Sequence, residues 1–170
     1  MTIYSVLSIW RMERRITMKI TAERSFKVNY FEKETNKDIW IAESHLTDNQ
    51  HDIAVIVEIN MEKMQIEEAK IKFHKYPVGE CKQIEEIASK LVGLKVDHYF
   101  SQNAMKITMG PFGCPNIMML LNISVPGIIY YYYPYKIKMG EMTQEQFFEL
   151  LREKEKNACL AHTVMFAEKE

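Results

Sequence analysis

The sequence predicts an α+β fold: an antiparallel sheet of three to four strands, then helices that pack on one of its faces, with a C-terminal helix. Three observations carry this reading. Between residues 24 and 74 apolar and polar side chains alternate with a period of two, as in half-buried strands. Beyond residue 80 the apolar residues recur instead at helical spacing. No internal repeat and no long Pro/Gly-rich or charged linker divides the 170 residues, so residues 21–170 read as a single domain around one core.

The strand signals are "RSFKVNYFEKE", "IWIAESHL", "HDIAVIVEINME" and "MQIEEAKIKFH", beginning at Arg24, Ile39, His51 and Met64. Each follows the last too closely for a crossover, so they predict a meander with one face packed and one wet. Asn36 to Asp38 is the turn-forming stretch between the first two.

After "YPVGE" the spacing changes. Ile84, Ile87, Ala88 and Leu91 form the stripe of an amphipathic helix, and Gly93 is suited to end it. The stretch from Leu94 to Gly113 leaves room for a short helix. A further helix starts at Cys114, because Pro115 favours the first helical position, and Pro126-Gly127 interrupts it. Thr143 and Gln146 have capping-box spacing, and the stripe of Phe147, Leu150, Leu151, Ala158, Ala161 and Met165 predicts one helix over 143–168.

Residues 1–20 read as an extension outside the domain. Their apolar piece precedes the charges, the reverse of a secretory signal, and Met12 and Met18 are alternative starts. The apolar run Ile117–Tyr133 is shorter than the roughly 20 residues a spanning helix needs, and Asn122, Pro126 and Gly127 interrupt it; no membrane span is expected. Lysine and arginine number 22 against 23 acidic residues, so no basic excess points to nucleic acid. Cys81, Cys114 and Cys159 are odd in number and far apart, unlike a disulfide framework, which predicts a reducing, cytoplasmic setting.

The chemistry-bearing residues gather around two thiols. Cys114 stands where a helix cap belongs and Cys81 opens the preceding helix; helix N-termini favour the thiolate, the form that binds metals and attacks electrophiles. Asp48 and His51 lie between the second and third strands, and with Cys81 and Cys114 they make a mixed S/N/O set suited to zinc or iron. The bland alternative is that both cysteines are small buried hydrophobes. Cys159 and His162 are three apart on the last helix, and His74 ends a strand near Cys81; each has an equally bland structural reading. No phosphate loop or nucleophile signature names a reaction, so an enzyme is the least supported class. "YYYYPY", Tyr130 to Tyr135, reads either as packing or as an aromatic surface for a partner or a second copy.

Several of these residues fall into a recognisable series. His45-Leu46-Thr47-Asp48, His51-Asp52-Ile53, Pro77 with Cys81, "LVGL" at Leu91–Leu94, and Gly113-Cys114-Pro115-Asn116-Ile117 resemble, in order, the motifs of the bacterial family called domain of unknown function 2889. The likeness runs from about Glu23 to Leu121, and it departs where the family has histidine and this chain has Asn116. More distantly, the order of elements is similar to the NifU/IscU-type iron–sulfur scaffolds. That likeness implies both thiols at one end of a helix-covered sheet, with Asp48 beside them and a zinc, iron or iron–sulfur cofactor.

The leading expectation is therefore a small cytoplasmic metal- or iron–sulfur-linked accessory protein using Cys81, Cys114, Asp48 and His51. The alternative is a non-catalytic interaction or dimerisation module with structural cysteines, binding through Tyr130–Tyr135 and the C-terminal helix.

Overall fold

A computed structural model describes residues 19–155 and 159–167, so most of the expected N-terminal extension lies outside the described residues. Four antiparallel strands, β1 (Arg24–Lys33), β2 (Asn36–Asp48), β3 (Asp52–Asn60) and β4 (Gln65–Lys75), pair in sequence order. A 3₁₀ segment, Gly79–Ile87, runs into α1 (Ala88–Leu91). Then come α2 (Phe100–Thr108), α3 (Pro115–Ser124), a 3₁₀ turn at Pro126–Ile128, α4 (Ile129–Lys138), α5 (Gln144–Glu155) and α6 (Leu160–Met165). The predicted α+β class, a four-stranded sheet followed by helices, is the fold observed.

The register explains which face is buried. Ala42 lies opposite Val57, Leu46 opposite Ile53, and Val55 opposite Ile71, so the period-two apolar residues of three strands share one face. Helix α3 lies over β2 and inserts Ile117, Leu120 and Leu121, all fully buried. The other face carries polar ladders: Asn29 to Glu43 at 3.1 Å, Lys33 to Glu58 at 2.6 Å and Lys70 to Glu68 at 2.7 Å.

Local chemistry fixes the elements in turn. Cys114 is the N-cap of α3 with Pro115 directly inside it, and Pro126 opens the turn that ends the helix run. The Thr143 amide donates to Gln146 Oε1 at 2.8 Å while the Gln146 amide donates to Thr143 Oγ1 at 3.2 Å, the reciprocal capping box that starts α5.

Three sequence expectations shift. The β1–β2 turn is Glu34–Thr35 rather than Asn36–Asp38, which are already paired or extending in β2. The stripe at Ile84–Leu91 is split, with Ile84 and Ile87 on a tight 3₁₀ segment and Ala88 and Leu91 in α1, and the Glu85 carboxylate accepts the Phe73 amide at the edge of β4. The stretch 143–168 holds two helices instead of one, because Cys159 is extended (φ −154°, ψ 169°) and caps α6.

Gly113 is the most closely approached of the described glycines. A Cβ there would sit 2.1 Å from the Thr108 carbonyl oxygen, and the next amide, Cys114 N–H, donates to that same oxygen at 2.7 Å. The glycine lets α3 start directly over the end of α2. Gly113→Ala should therefore cost about 2–3 kcal/mol by overpacking, read as a lowered urea midpoint at unchanged m-value; an unchanged midpoint would show that the loop can move aside.

Candidate functional site

The polar residues singled out between β2 and β3 form a corner at one end of the sheet. The Asp48 Oδ1 atom accepts the amides of Gln50 and His51, each at 2.7 Å, which closes the loop as an Asx turn. The Asp48 amide in turn donates to the His51 carbonyl at 2.9 Å. His51 Nδ1 lies 3.0 Å from Asp48 Oδ1. An ionised carboxylate only accepts, so Nδ1 carries the proton and, in a neutral ring, Nε2 holds the lone pair.

Arg24, which register places directly opposite Asp48, completes the cluster. Its Nε and Nη2 atoms reach Asp48 Oδ2 at 2.7 and 2.6 Å. Its Nη1 donates to Asn116 Oδ1 at 3.3 Å, so the arginine ties the sheet corner to the first turn of α3. Sequence reading missed Arg24. The signal was its cross-strand position, hidden by the register slip between Glu32 and Lys33.

Burial alone would raise the Asp48 pKa. The Gln50 amide, the His51 ring and amide, and the Arg24 guanidinium outweigh it and hold the carboxyl well below the usual carboxylate range. These donors occupy the roughly four lone-pair positions a carboxylate offers, so Asp48 acts here as a hub for its own loop and for Arg24.

The cysteines sit apart in role. Cys114 caps α3 through its backbone only: its carbonyl accepts the Ile117 and Met118 amides, and its thiol makes no capping bond. Cys81 lies in the first turn of the 3₁₀ segment that covers β4. Both thiols are half-buried against the hydrophobic core. Among the described residues no three His, Cys, Asp or Glu side chains are grouped as a metal ion would require.

The other candidates resolve in the same way. His74 is exposed on β4. Cys159 is an exposed cap, and the His162 ring lies 5.9 Å from that of Phe166 at a tilted angle. In the aromatic segment Tyr132 and Tyr133 are buried, and Trp40 meets the rings of Tyr132 and Tyr135 edge-on at 5.3 and 5.4 Å. Tyr135 also donates to Glu32 at 3.1 Å. Of the tyrosines in the run Tyr130 and Tyr131 are exposed, and Tyr131 stacks on Tyr30 at 4.6 Å. Among the described residues no helix is long and apolar enough to cross a membrane.

The family described as "Protein of unknown function (DUF2889)" matches residues 12–126, more than half of the chain. No curated protein and no solved structure matches it.

Because the folded-state pKa of Asp48 is depressed, its contribution to stability is present above the unfolded value of about 3.9 and is lost as pH falls below it. Asp48→Asn should lower the thermal midpoint by several degrees at pH 7. The gap to the parent protein should close as pH drops through 4 toward 2. A gap that is constant with pH would mean the carboxylate charge is irrelevant to the corner.

Proposed function

This chain belongs to the DUF2889 family, and from that premise we propose that it is a non-catalytic protein-interaction module, working in the cytoplasm, with structural cysteines. The observation that carries the reading is α6. None of its residues is buried, although Leu160 is 80% and Val164 69% exposed and Met165 lies beside them. So short a helix is marginal by itself in water, and clustered exposed apolar side chains mark surfaces that meet another molecule. Tyr130 and Tyr131, exposed while their neighbours are buried, extend the supply of apolar surface. The half-buried thiols support the structural role for cysteine, since core packing is what free cysteines usually do.

The metal-linked reading is the second. What favours it is that the Arg24–Asn116 bond draws the start of α3, with Cys114 at its cap, to the Asp48–His51 loop. The iron–sulfur scaffold likeness adds only the order of elements and the helix-start cysteines. Against it stand the saturated Asp48 and the placement of Cys81 by β4.

Two measurements separate the readings. Leu160→Glu combined with Val164→Glu should leave the thermal midpoint almost unchanged, as surface substitutions do within about 0.5 kcal/mol, and should abolish binding of the protein's partner. A midpoint lowered by several degrees would mean that α6 packs on its own domain and would contradict the interaction reading. Anaerobic purification followed by metal analysis and a visible spectrum should find well under one equivalent of zinc or iron. A full equivalent that disappears in Cys81→Ser and Cys114→Ser would instead establish the metal-linked protein.

A further inference from the structure

The two edges of the sheet are treated differently. Along β4 three groups near its two ends have partners outside the sheet: the Phe73 amide donates to Glu85, the Ile66 amide to the Leu94 carbonyl, and the Gly93 amide to the Ile66 carbonyl. Among the described residues β1 has no backbone partner except β2. It is ten residues long and exposed over its first half. An open edge of that length presents a row of unpaired donors and acceptors to any strand of matching register.

Apolar side chains border this open edge. Helix α3 has two flanks. Met118 and Asn122 face α2, as the contacts of Thr108 Oγ1 to Met118 Sδ (3.2 Å) and of Ser101 Oγ to Asn122 Oδ1 (2.9 Å) establish. Asn116 marks the other flank, toward β1, through its bond from Arg24. Met119 and Ile123, three and seven residues beyond Asn116, fall on that same flank, and each is 41% exposed. Phe26, on the core side of β1, is 42% exposed, and Tyr131 on Tyr30 continues the strip.

We propose that the β1 edge pairs antiparallel with the β1 edge of a second copy, across a two-fold axis at Val28, to form one continuous sheet. The charge pattern of β1 selects this occupant. With Val28 opposite itself, Arg24 faces Glu32 of the other copy, Phe26 faces Tyr30, and Lys27 faces Asn29, so no like charges meet and both ends of the ladder carry opposite charges. Moving the axis one residue toward the N-terminus would set Lys27 against Lys27, which is unfavourable. A two-fold normal to the sheet keeps the helices of both copies on one side, so the Met119 and Ile123 flanks approach each other over the new seam and cover the strip. The proposal is independent of the partner-binding reading, because it uses β1 and α3 and leaves α6 free.

Sedimentation equilibrium of the full chain in a concentration series up to roughly 100 μM, above the Kd of specific complexes, should give twice the 20.1 kDa chain mass. Met119→Glu with Ile123→Glu should return it to the single-chain mass with an unchanged circular dichroism spectrum. Val28→Cys in a Cys159→Ser background should form an intermolecular disulfide on mild oxidation; this arm decides if the glutamate variant fails to fold. Leu160→Glu with Val164→Glu should leave the dimer intact, so that loss of partner binding and loss of self-pairing stay distinguishable. A single-chain mass throughout, including a chain that pairs only with a different protein, would overturn the proposal. So would a dimer that persists in the glutamate variant without cross-linking at position 28.

Discussion

The seating of α3 on the sheet is the constraint on which the remaining structure depends. A β-meander with one apolar face exposes Leu46, Ile53, Val55 and Val57 unless something covers them, and α3 covers them with Ile117, Leu120 and Leu121 in a core shared with Leu91 and Phe100. Burial alone does not fix where a helix lies, since it is nearly indifferent to sliding. Two polar ties do. Arg24 holds Asn116 at the start of α3, and Tyr30 Oη donates to the Ser124 carbonyl at 2.8 Å at its end. Burial, followed by the neighbouring Tyr131, pushes the Tyr30 phenol up to about 12, so it stays a donor through the physiological range. Both ties originate on β1, the strand that lies least within the core, which explains why an edge strand carries a buried-face arginine and tyrosine.

Much of this architecture was legible because its signals are local. Period-two alternation placed all four strands, Pro115 placed the start of α3, and Thr143 with Gln146 placed the start of α5. The Pro126-Gly127 break is real and has a tertiary reason as well: the Gly127 Cα approaches the Tyr30 hydroxyl, where a Cβ would stand 3.1 Å away. What escaped was non-local. The slip between Glu32 and Lys33 moved the hairpin register so that Arg24 met Asp48, and no feature of the turn sequence announced it. The split of the C-terminal stripe at Cys159 likewise has no proline or glycine to betray it.

Part of the candidate site was legible as residues, and the structure adds partners that the sequence reading lacked. Asp48 and His51 do meet, but as an Asx turn whose carboxylate is filled by five nitrogens of Gln50, His51 and Arg24. Donor saturation depends on the arginine, and the arginine lay outside every motif. The cysteine between "GPFG" and proline has a comparable explanation. Its backbone caps α3 and crosses over Thr108 because Gly113 lacks a Cβ, while its side chain fills a gap beside the core. Asn116 offers Arg24 an amide oxygen that accepts without any dependence on protonation.

Stability in such a structure is unevenly spread. The sheet and α3 share one core and two polar ties, whereas α6 shares none of its side chains with it. Native-state hydrogen exchange tests this division directly. Amides of β2, β3 and α3 should exchange with a single free energy equal to that of global unfolding, and α6 amides should exchange with almost no protection. An α3 that opens at markedly lower free energy than β2 and β3 would contradict the account, because the helix would then be resting on the sheet without being held to it.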